Sequence, residues 1–461
     1  MTLLRTARVS TPLGDDTLLF FSMDCTEALG QPFEYEVDLL STDEQIDLVQ
    51  LLGQMMVVRL ELPNFQTREF TGLVRRFVQV GSLGRYVRYR ATLAPWLWLM
   101  SRRNNCRIFQ NKTVPDVIKA MFREQGFSDF EDALTGEYRT WEYLVQYRES
   151  DFNFVSRVME QEGIYYYFTH ADGRHVLVLS DSYSAHKPVS GYETVPFIAE
   201  RQDHVVDDRI DSWHLAREIT SGAFAAADYD FQAPKAKLAS TLKPGSEYTG
   251  GDYEIFDYPG EFANTKEADD QVKLRLQAEL AQHDVVSGEG NVRGLHAGAL
   301  MSLADFPRAD QNKEYLLTAV SISIRSEGYE SLLDATSAPN EPNFRVSLSA
   351  IDAKVNFRAP RNTPKPVVHG PQSAVVVGQS GQEIWTDEYG RVKVQFYWDR
   401  EGSFDENSSC WVRVAQLWAG SGWGGIHIPR IGQEVIVDFL EGNPDRPIIT
   451  GRVYNADNMP P

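Results

Sequence analysis

Cysteine is scarce in this sequence: its 461 residues include three, Cys25, Cys106 and Cys410, which lie far apart and form no Cys-x-x-Cys pair. This spacing argues against a disulfide framework and against a zinc site built from thiolates. A chain that folds in a reducing cytosol fits this cysteine content best. We therefore expect neither a disulfide-linked fold nor a thiolate-bound metal.

Long apolar runs are also missing. The nearest is LAPWLWLM at residues 93–100, which is far shorter than the roughly 20 residues that a membrane-spanning helix needs. The N-terminal residues MTLLRTARVSTPLGDD lack the sustained apolar region of a secretory signal. We expect no stable membrane insertion, a cytoplasmic location during assembly, and export, if any, outside the general secretory route.

Positive charge is the third deficit, because 45 Lys and Arg residues stand against 65 Asp and Glu residues, for a net charge of −20. Nucleic-acid binding needs clustered Lys and Arg to neutralise phosphates, so DNA and RNA are poor candidates as partners. A partner attracted by charge would be basic. The hydrophobic fraction of 42% and the aromatic fraction of 11% indicate a folded chain, and its length allows about three domains.

The C-terminal stretch of residues 379–455 carries the clearest pattern. Turn residues interrupt it at short intervals, and between them apolar and polar residues alternate with the period of two that places one strand face in a core. The residues predicted to point inward are Val392, Val394, Phe396, Val412, Val414, Val435, Val437 and Phe439. Several such strands joined by tight turns predict a small antiparallel barrel or sandwich.

Three runs of this stretch resemble the OB-fold barrel of the VgrG family, the spike proteins of bacterial type VI secretion, which are similar to the hub and spike proteins of contractile-tail phages. The runs are DEYGRVKVQFYWDREG, CWVRVAQLWAGSGWG and PRIGQEVIVDFLEGNPDRPIITGRVYN. Upstream, IFQNKTVPDVIKAMF and YRESDFNFVSRVMEQEGIYYYF resemble the hub region of the same family. The match is long and nearly gapless.

Three helices are predicted before the barrel. The first begins at the cap Thr113, and the second begins at the cap Ser150. The third spans roughly residues 265–283. The apolar stripes predicted for the second and third helices consist of Phe152, Val155, Val158 and Met159, and of Ala268, Val272, Leu276 and Leu280. Strand-like runs surround these helices, and residues 354–358 are predicted as the last strand of the middle segment.

We predict a mainly β fold with some α structure: two similar tube-type β-barrel lobes with inserted helices, followed by a C-terminal OB-fold antiparallel β-barrel. The second lobe is implied by the resemblance, since the family's hub has two similar lobes per chain. The predicted parts are a first lobe at 1–100, a helical and hairpin insertion at 101–206, a second lobe at 207–360, a Pro-rich linker at 361–378, and at 379–461 the barrel with the start of a connection to a needle.

The resemblance implies a structural function without catalytic, cofactor-binding or metal-binding residues. It implies a homotrimer that caps a hexameric Hcp tube, contacts baseplate components and carries a membrane-puncturing needle. That needle, which binds a PAAR-type tip protein and effectors, is missing from this sequence. It implies assembly in the bacterial cytoplasm, followed by secretion or injection into a target cell through the type VI apparatus. The alternatives are a phage baseplate hub, an OB-type ligand-binding module, and an enzyme that uses acidic barrel loops.

Two motifs contain residue types that can bind a dinucleotide or a metal. Gly420, Gly422 and Gly425 fit G-x-G-x-x-G, but the following IHIPRIG opposes the helix that a dinucleotide site requires, so a Gly-rich barrel loop is predicted. His170 and His175 flank the turn 171–173 and are predicted to form an exposed pair across a hairpin. Two imidazoles supply at most half of a zinc site.

The barrel region is also rich in acidic and tryptophan side chains. The carboxylates are predicted to be solvated in turns rather than paired for hydrolysis, and are Asp387, Glu388, Asp399, Glu401, Asp405 and Glu406. The tryptophans are predicted to serve core or inter-subunit packing rather than base stacking, and are Trp385, Trp398, Trp411, Trp418 and Trp423.

Overall fold

The computed structural model describes residues 7–14, 16–63, 66–199, 208–245, 248–326 and 344–461. The predicted boundary between residues 206 and 207 lies outside these ranges. Within them the α-helices are α1 (Val114–Glu124), α2 (Asp151–Gln161) and α3 (Thr265–Leu280). The short 3-10 helices are Leu48–Leu51, Trp96–Arg102, Tyr183–Ala185, Ala309–Gln311 and Leu440–Gly442.

The described fold contains many more strand residues than helix residues. The first fourteen are β1 (Ala7–Ser10), β2 (Leu19–Ala28), β3 (Glu34–Ser41), β4 (Met55–Glu61), β5 (Thr67–Leu83), β6 (Tyr86–Ala94), β7 (Asn104–Thr113), β8 (Phe130–Asp132), β9 (Thr140–Ser150), β10 (Tyr165–Ala171), β11 (Arg174–Ser180), β12 (Lys187–Pro188), β13 (Thr194–Pro196) and β14 (Ile210–Arg217). The others are β15 (Ala223–Asp228), β16 (Leu238–Leu242), β17 (Glu254–Asp257), β18 (Asp284–Gly290), β19 (Ala299–Ala304), β20 (Glu314–Arg325), β21 (Phe344–Asp352), β22 (Gln372–Val377), β23 (Lys393–Phe396), β24 (Arg413–Val414), β25 (Ala419–Gly420), β26 (Trp423–Gly424), β27 (Glu434–Phe439) and β28 (Pro447–Val453).

The chain divides into two compact units that are not contiguous in sequence. The first unit consists of Met1–Trp98, Phe127–Gly136 and Met159–Pro360, and the second of Leu99–Gly126, Glu137–Val158 and Arg361–Pro461. Residues 101–206 were predicted to form one insertion, whereas the structure distributes them over both units. The physical reason is that β7 and β9 pair with each other and share a buried core with the C-terminal strands.

A large sheet forms the centre of the first unit. Its strand order is β1-β4-β5-β6-β3-β2-β20-β21-β18-β14, with β19 beside β20 and both β12 and β13 on β19. The antiparallel pairing of β2 with β20, from Ser22 opposite Arg325 to Ala28 opposite Ala319, joins the N-terminal strands to those from the middle of the chain. Residues 354–358, which the sequence predicted as a strand, have no regular structure.

A small layer of α3 on three strands also belongs to the first unit. The strand order is β16-β15-β17, and α3 buries Ala268, Val272 and Leu276 against it. Asn264 caps the helix by accepting a hydrogen bond from the backbone N–H of Glu267 at 3.0 Å. The helix ends at Leu280, which is 37% exposed and so does not extend the stripe as predicted.

Helices α1 and α2 begin where the sequence predicted. The Thr113 side chain accepts a hydrogen bond from the N–H of Asp116 at 3.3 Å, and α2 starts directly after Ser150. In α2 the fully buried phenylalanine is Phe154, and not the predicted Phe152, which is only partly buried.

The C-terminal strands of the second unit close into a barrel. Their order is β23-β22-β27-β28-β24, and a reciprocal pair of hydrogen bonds between Val392 and Val412, of 3.0 and 2.7 Å, connects the two ends of this order. Strands β24 and β28 are parallel, and the other pairs are antiparallel. The inward alternation predicted for β27 is confirmed, because Val435, Val437 and Phe439 are buried.

Candidate functional site

A short hairpin formed by β25 and β26 exposes apolar side chains. Ala419 pairs with Gly424 and Gly420 with Trp423, so the chain reverses within two residues. A Cβ on Gly420 would lie 2.4 Å from the Trp423 ring, and one on Gly424 would lie 2.4 Å from the carbonyl oxygen of Trp418. These glycines are therefore required by the close packing within the hairpin, which agrees with the predicted Gly-rich barrel loop. The motif begins a hairpin and not a helix, so it provides no helix N-terminus that could bind a phosphate.

We call residues 417–426 the aromatic hairpin. Its large apolar side chains are mostly exposed: Leu417 at 96%, Trp418 at 66%, Trp423 at 58% and Ile426 at 77%. The two indoles meet edge to face with their centroids 5.2 Å apart. A patch of exposed aromatic and aliphatic groups of this kind is typical of a surface that another protein covers.

The other barrel tryptophans have different surroundings, which the sequence left open. Trp398 packs on the barrel core and meets Tyr147 edge to face at 5.7 Å. Trp385 and Trp411 stack with their centroids 6.2 Å apart and are half-buried. Only Trp418 and Trp423 among these five are therefore available as exposed contact residues.

A second feature of this unit is the joint between β9 and the barrel. Tyr143, Val145 and Tyr147 belong to the same buried cluster as the inward residues of the barrel strands. The backbone N–H of Val145 donates to Asp445 Oδ1 at 2.7 Å, and Gln372 Nε2 donates to the Tyr147 hydroxyl at 2.6 Å. This joint was not predicted from the sequence, although the consecutive apolar residues Tyr143, Leu144 and Val145 indicate a strand that is buried on both faces.

Arg107 of β7 strengthens this joint with two carboxylates. Its Nε donates to Glu401 at 2.9 Å, and its Nη1 donates to Glu124 of α1 at 2.7 Å. The hydrogen bond and charge of Arg107 lower the pKa of Glu124. Arg400 adds a bond of 2.8 Å to Asn105 Oδ1. Helix α1, strand β7 and the loop after β23 are thus held by charge-assisted hydrogen bonds.

Four of the six acidic loop residues, Asp387, Asp399, Glu401 and Asp405, have structural partners. Asp387 pairs with Arg391 at 2.5 Å, and Glu401 pairs with Arg107. Asp399 is buried rather than solvated as predicted, and accepts from the N–H of Glu401 at 3.0 Å. Across the part of the chain that the structure describes, no three His, Cys, Asp or Glu side chains are grouped so that they could hold a metal.

The His170 and His175 pair lies where the sequence predicted but in different surroundings. The two residues are opposite each other in β10 and β11 with ring centroids 6.2 Å apart. His175 is buried and His170 partly buried, so the predicted exposed pair is wrong. Both rings accept hydrogen bonds from backbone N–H groups, of Thr71 at 3.1 Å and of Trp96 at 2.9 Å.

No helix in the described ranges has both the length and the apolar character needed to cross a bilayer. All three cysteines are free. Burial raises the pKa of both Cys25 and Cys410, which disfavours their reactive thiolate form.

Two family profiles match the chain. The profile of the phage tail baseplate hub (GPD) matches residues 26–328, and that of the type VI secretion system/phage-baseplate injector OB domain matches residues 381–454. The predicted OB fold of the C-terminal barrel is confirmed by the second profile and by the strand order described above.

Individual relatives agree with these profiles. The chain is 50% identical over 461 residues to the type VI secretion system spike protein VgrG1a of Pseudomonas aeruginosa, which covers 100% of this chain and 71% of the relative. It is 49% identical over 457 residues to VgrG1c of the same organism, covering 99% and 62%. Its fold is similar to that of the E. coli c3393 protein, a component of the type VI secretion system, with a TM-score of 0.68, 21% identity and coverage of 97% and 100%.

Proposed function

The chain belongs to the family of phage tail baseplate hubs and type VI secretion spike proteins, and we propose from this premise that it is the hub and spike base of a trimeric spike. The observation that carries the proposal is 50% identity to a named spike protein over the whole of this chain. Because the chain spans 71% and 62% of the two relatives' lengths, the activity and partners of the complete spike are part of the proposal.

The proposal assigns a role to each part. Residues 1–100 and 207–360 form two tube-forming lobes that cap an Hcp tube, and residues 379–461 support a needle. Baseplate components would bind the hub, and a PAAR-type tip protein and effectors would bind through the needle. Many strands of the first unit are paired in one large sheet. This pairing supports the proposal that the unit resists mechanical load without unfolding.

The proposed mechanism is mechanical rather than enzymatic. Contraction of the apparatus supplies the work, and the spike transmits it to a target membrane and is secreted in the process. In support, four of the six acidic residues that could have served hydrolysis are engaged as ion-pair partners or turn caps: Asp387, Asp399, Glu401 and Asp405. Catalysis by paired carboxylates requires two that face one substrate position.

Three aromatic hairpins meeting near a common axis form the proposed trimer contact. Burying a large apolar side chain contributes roughly 1.5–3 kcal/mol. Trp418 and Trp423 are exposed in one chain, so association would remove them from water. In a trimer with threefold symmetry, residues close to the axis meet the same residues of the other two copies.

Sedimentation analysis of the full chain over a range of concentrations tests this interface. We expect particles with three times the mass of one chain, and a shift to single chains when Trp418→Ser and Trp423→Ser are combined. The matched control combines Tyr253→Ser and Phe256→Ser, two exposed aromatic residues of the first unit, and should remain trimeric. A wild-type chain that is monomeric at every concentration, or a double variant that still trimerises, would contradict the proposed contact.

A phage baseplate hub is the second candidate, because the baseplate hub profile covers residues 26–328. The 50% identity to a type VI spike protein favours secretion over a phage tail. Secretion of the chain that stops when sheath contraction is blocked in the host bacterium would support the first candidate, and its recovery in purified phage tails would support the second.

A further inference from the structure

The β10–β11 hairpin is attached to the rest of the first unit by two imidazole acceptors. The N–H of Thr71 in β5 donates to His170 Nδ1 at 3.1 Å, and the N–H of Trp96 donates to His175 Nε2 at 2.9 Å. A backbone N–H can only donate. Each of these ring nitrogens therefore carries no proton, and both histidines are neutral.

The second ring nitrogen of His170 also forms a hydrogen bond. Its Nε2 lies 3.0 Å from the Tyr35 hydroxyl, which donates to Glu27 Oε1 at 2.8 Å. Since Nδ1 accepts from Thr71, the proton of the neutral ring is on Nε2 and is donated to Tyr35. The direction of every hydrogen bond from Thr71 to Glu27 is thereby fixed.

His175 has fewer partners. Its Nε2 accepts from Trp96, so its proton is on Nδ1, which is buried and has no hydrogen-bond partner among the described residues. The rings of Phe33 and Phe168 meet it at centroid distances of 5.3 and 6.0 Å. Burial among these rings disfavours a positive charge on His175.

The titratable groups around the pair come from several elements. Glu27 of β2 and Tyr35 of β3 follow His170 in the hydrogen-bond chain. Arg68 of β5 and His296 lower the pKa of His170 through their charges. At the turn of the hairpin, Glu69 of β5 accepts from the N–H of Gly173 at 2.8 Å.

We propose that His170 and His175 form a pH-sensitive clasp, which holds the β10–β11 hairpin to β5 and Trp96 at neutral pH and releases it when an imidazole takes up a second proton. The added proton would occupy the nitrogen that accepts the backbone N–H. Two donors would then face each other at about 3 Å, the distance at which a hydrogen bond now forms, and that bond would be lost.

The pKa shifts give the pH window. Burial, then the neighbouring His175, Arg68 and His296, hold the pKa of His170 well below its usual value, and burial lowers the pKa of His175 to about 4. In the released state each pKa would return to about 6.5. The released state therefore binds more protons below about pH 6.5, so the clasp is fully formed above that pH and weakens as the pH falls towards 4.

Hydrogen exchange followed by mass spectrometry on the full chain tests the clasp, with rates corrected for the intrinsic effect of pH. Peptides that contain the amides of Thr71 and Trp96 should show a loss of protection between pH 8 and pH 5. For Trp96 the expected loss is about 30-fold, as calculated from pKa values of about 6.5 and about 4. The strand pair β2–β20 should keep its protection, because the release is local.

The variant His175→Gln tests whether the pH-dependent loss of protection at Trp96 arises from His175 or from a general effect of acid on the protein. A Gln side chain offers an oxygen that can accept from Trp96 and does not titrate, so the protection of Trp96 should become independent of pH. The exposed His427→Gln serves as the control and should keep the wild-type response.

Three results would overturn the proposal. The first is that the protection factors of the Thr71 and Trp96 amides at pH 5 stay within twofold of their values at pH 8. Another is a parallel loss of protection in β2–β20, which would indicate global unfolding. The third is a folded His175→Gln chain with an unchanged pH response. If that variant does not fold, the wild-type exchange profile alone decides between local release and the alternatives.

Discussion

Arg107 forms two charge-assisted contacts on the polar side of the joint. Its side chain is 10% exposed and meets Glu401 and Glu124 at 2.9 and 2.7 Å. We expect Arg107→Ala to lower the free energy of unfolding by about 1–3 kcal/mol, because charge-assisted hydrogen bonds are lost and two carboxylates remain without their cation. Urea unfolding monitored by tryptophan fluorescence measures the change.

Arg430→Ala is the matched control for Arg107→Ala. It removes a second Arg–carboxylate pair of the same unit, with Glu383, in which both side chains are more than half exposed. Exposed ion pairs contribute little to stability, so no measurable change is expected. Equal effects of the two substitutions would contradict the importance of burial at Arg107.

The burial of single residues was the least predictable property. Period-two alternation placed Gln395 on the outer face of its strand, but it is fully buried, since its amide donates to the carbonyls of Phe396 and Asp399 at 3.2 and 3.1 Å. Hydrophobicity patterns do not register such internal hydrogen bonding of a polar group. The same limit applies to Asp399, which the sequence predicted to be solvated.

Helix α3 allows a direct test of an amphipathic stripe. Leu276 is 3% exposed within the cluster formed with β15, whereas Leu280 is 37% exposed at the helix end. We expect Leu276→Ala to cost about 2–4 kcal/mol and Leu280→Ala less than about 1 kcal/mol, because only the first leaves a cavity. Urea unfolding followed by circular dichroism compares them, and a similar cost for both would contradict the observed burial.

Elements with strong local signals were predicted well. The caps at Thr113 and Ser150 gave the starts of α1 and α2, and alternation gave the buried face of β27. The strand predicted for residues 354–358 is wrong because a short alternating run such as KVNFR forms a strand only if a neighbouring strand offers its edge. The aromatic hairpin was predicted as a Gly-rich loop with nearby tryptophans, but the exposure of Trp418 depends on the closed barrel.

The grouping of segments into units could not be read from the sequence. Strands β7 and β9 are more than 200 residues away from the barrel strands with which they share a core. Local patterns report which face of a strand is buried but not which distant strand covers it. The resemblance to a known family supplied the fold of the barrel and left this connection unassigned.

The shared core predicts which parts of the chain unfold together. Val437 is fully buried in the barrel, in the same cluster as Val145 of β9. We expect Val437→Ala to cost about 1.5–3 kcal/mol, since it deletes two buried methyl groups. Hydrogen exchange in mild denaturant should then show faster exchange in β22 and β27 and, by a similar factor, in β7 and β9, because one cluster supports all four strands.

The control for this prediction lies in the other unit. Val58 of β4 is also fully buried, so Val58→Ala should accelerate exchange in β4 and β5 by a comparable factor and leave β7 and β9 unchanged. If β7 and β9 instead respond to Val58→Ala and not to Val437→Ala, they belong energetically to the hub insertion that the sequence suggested. That outcome would mean that contact with the barrel core contributes little free energy to these strands, despite the burial of Tyr143 and Val145.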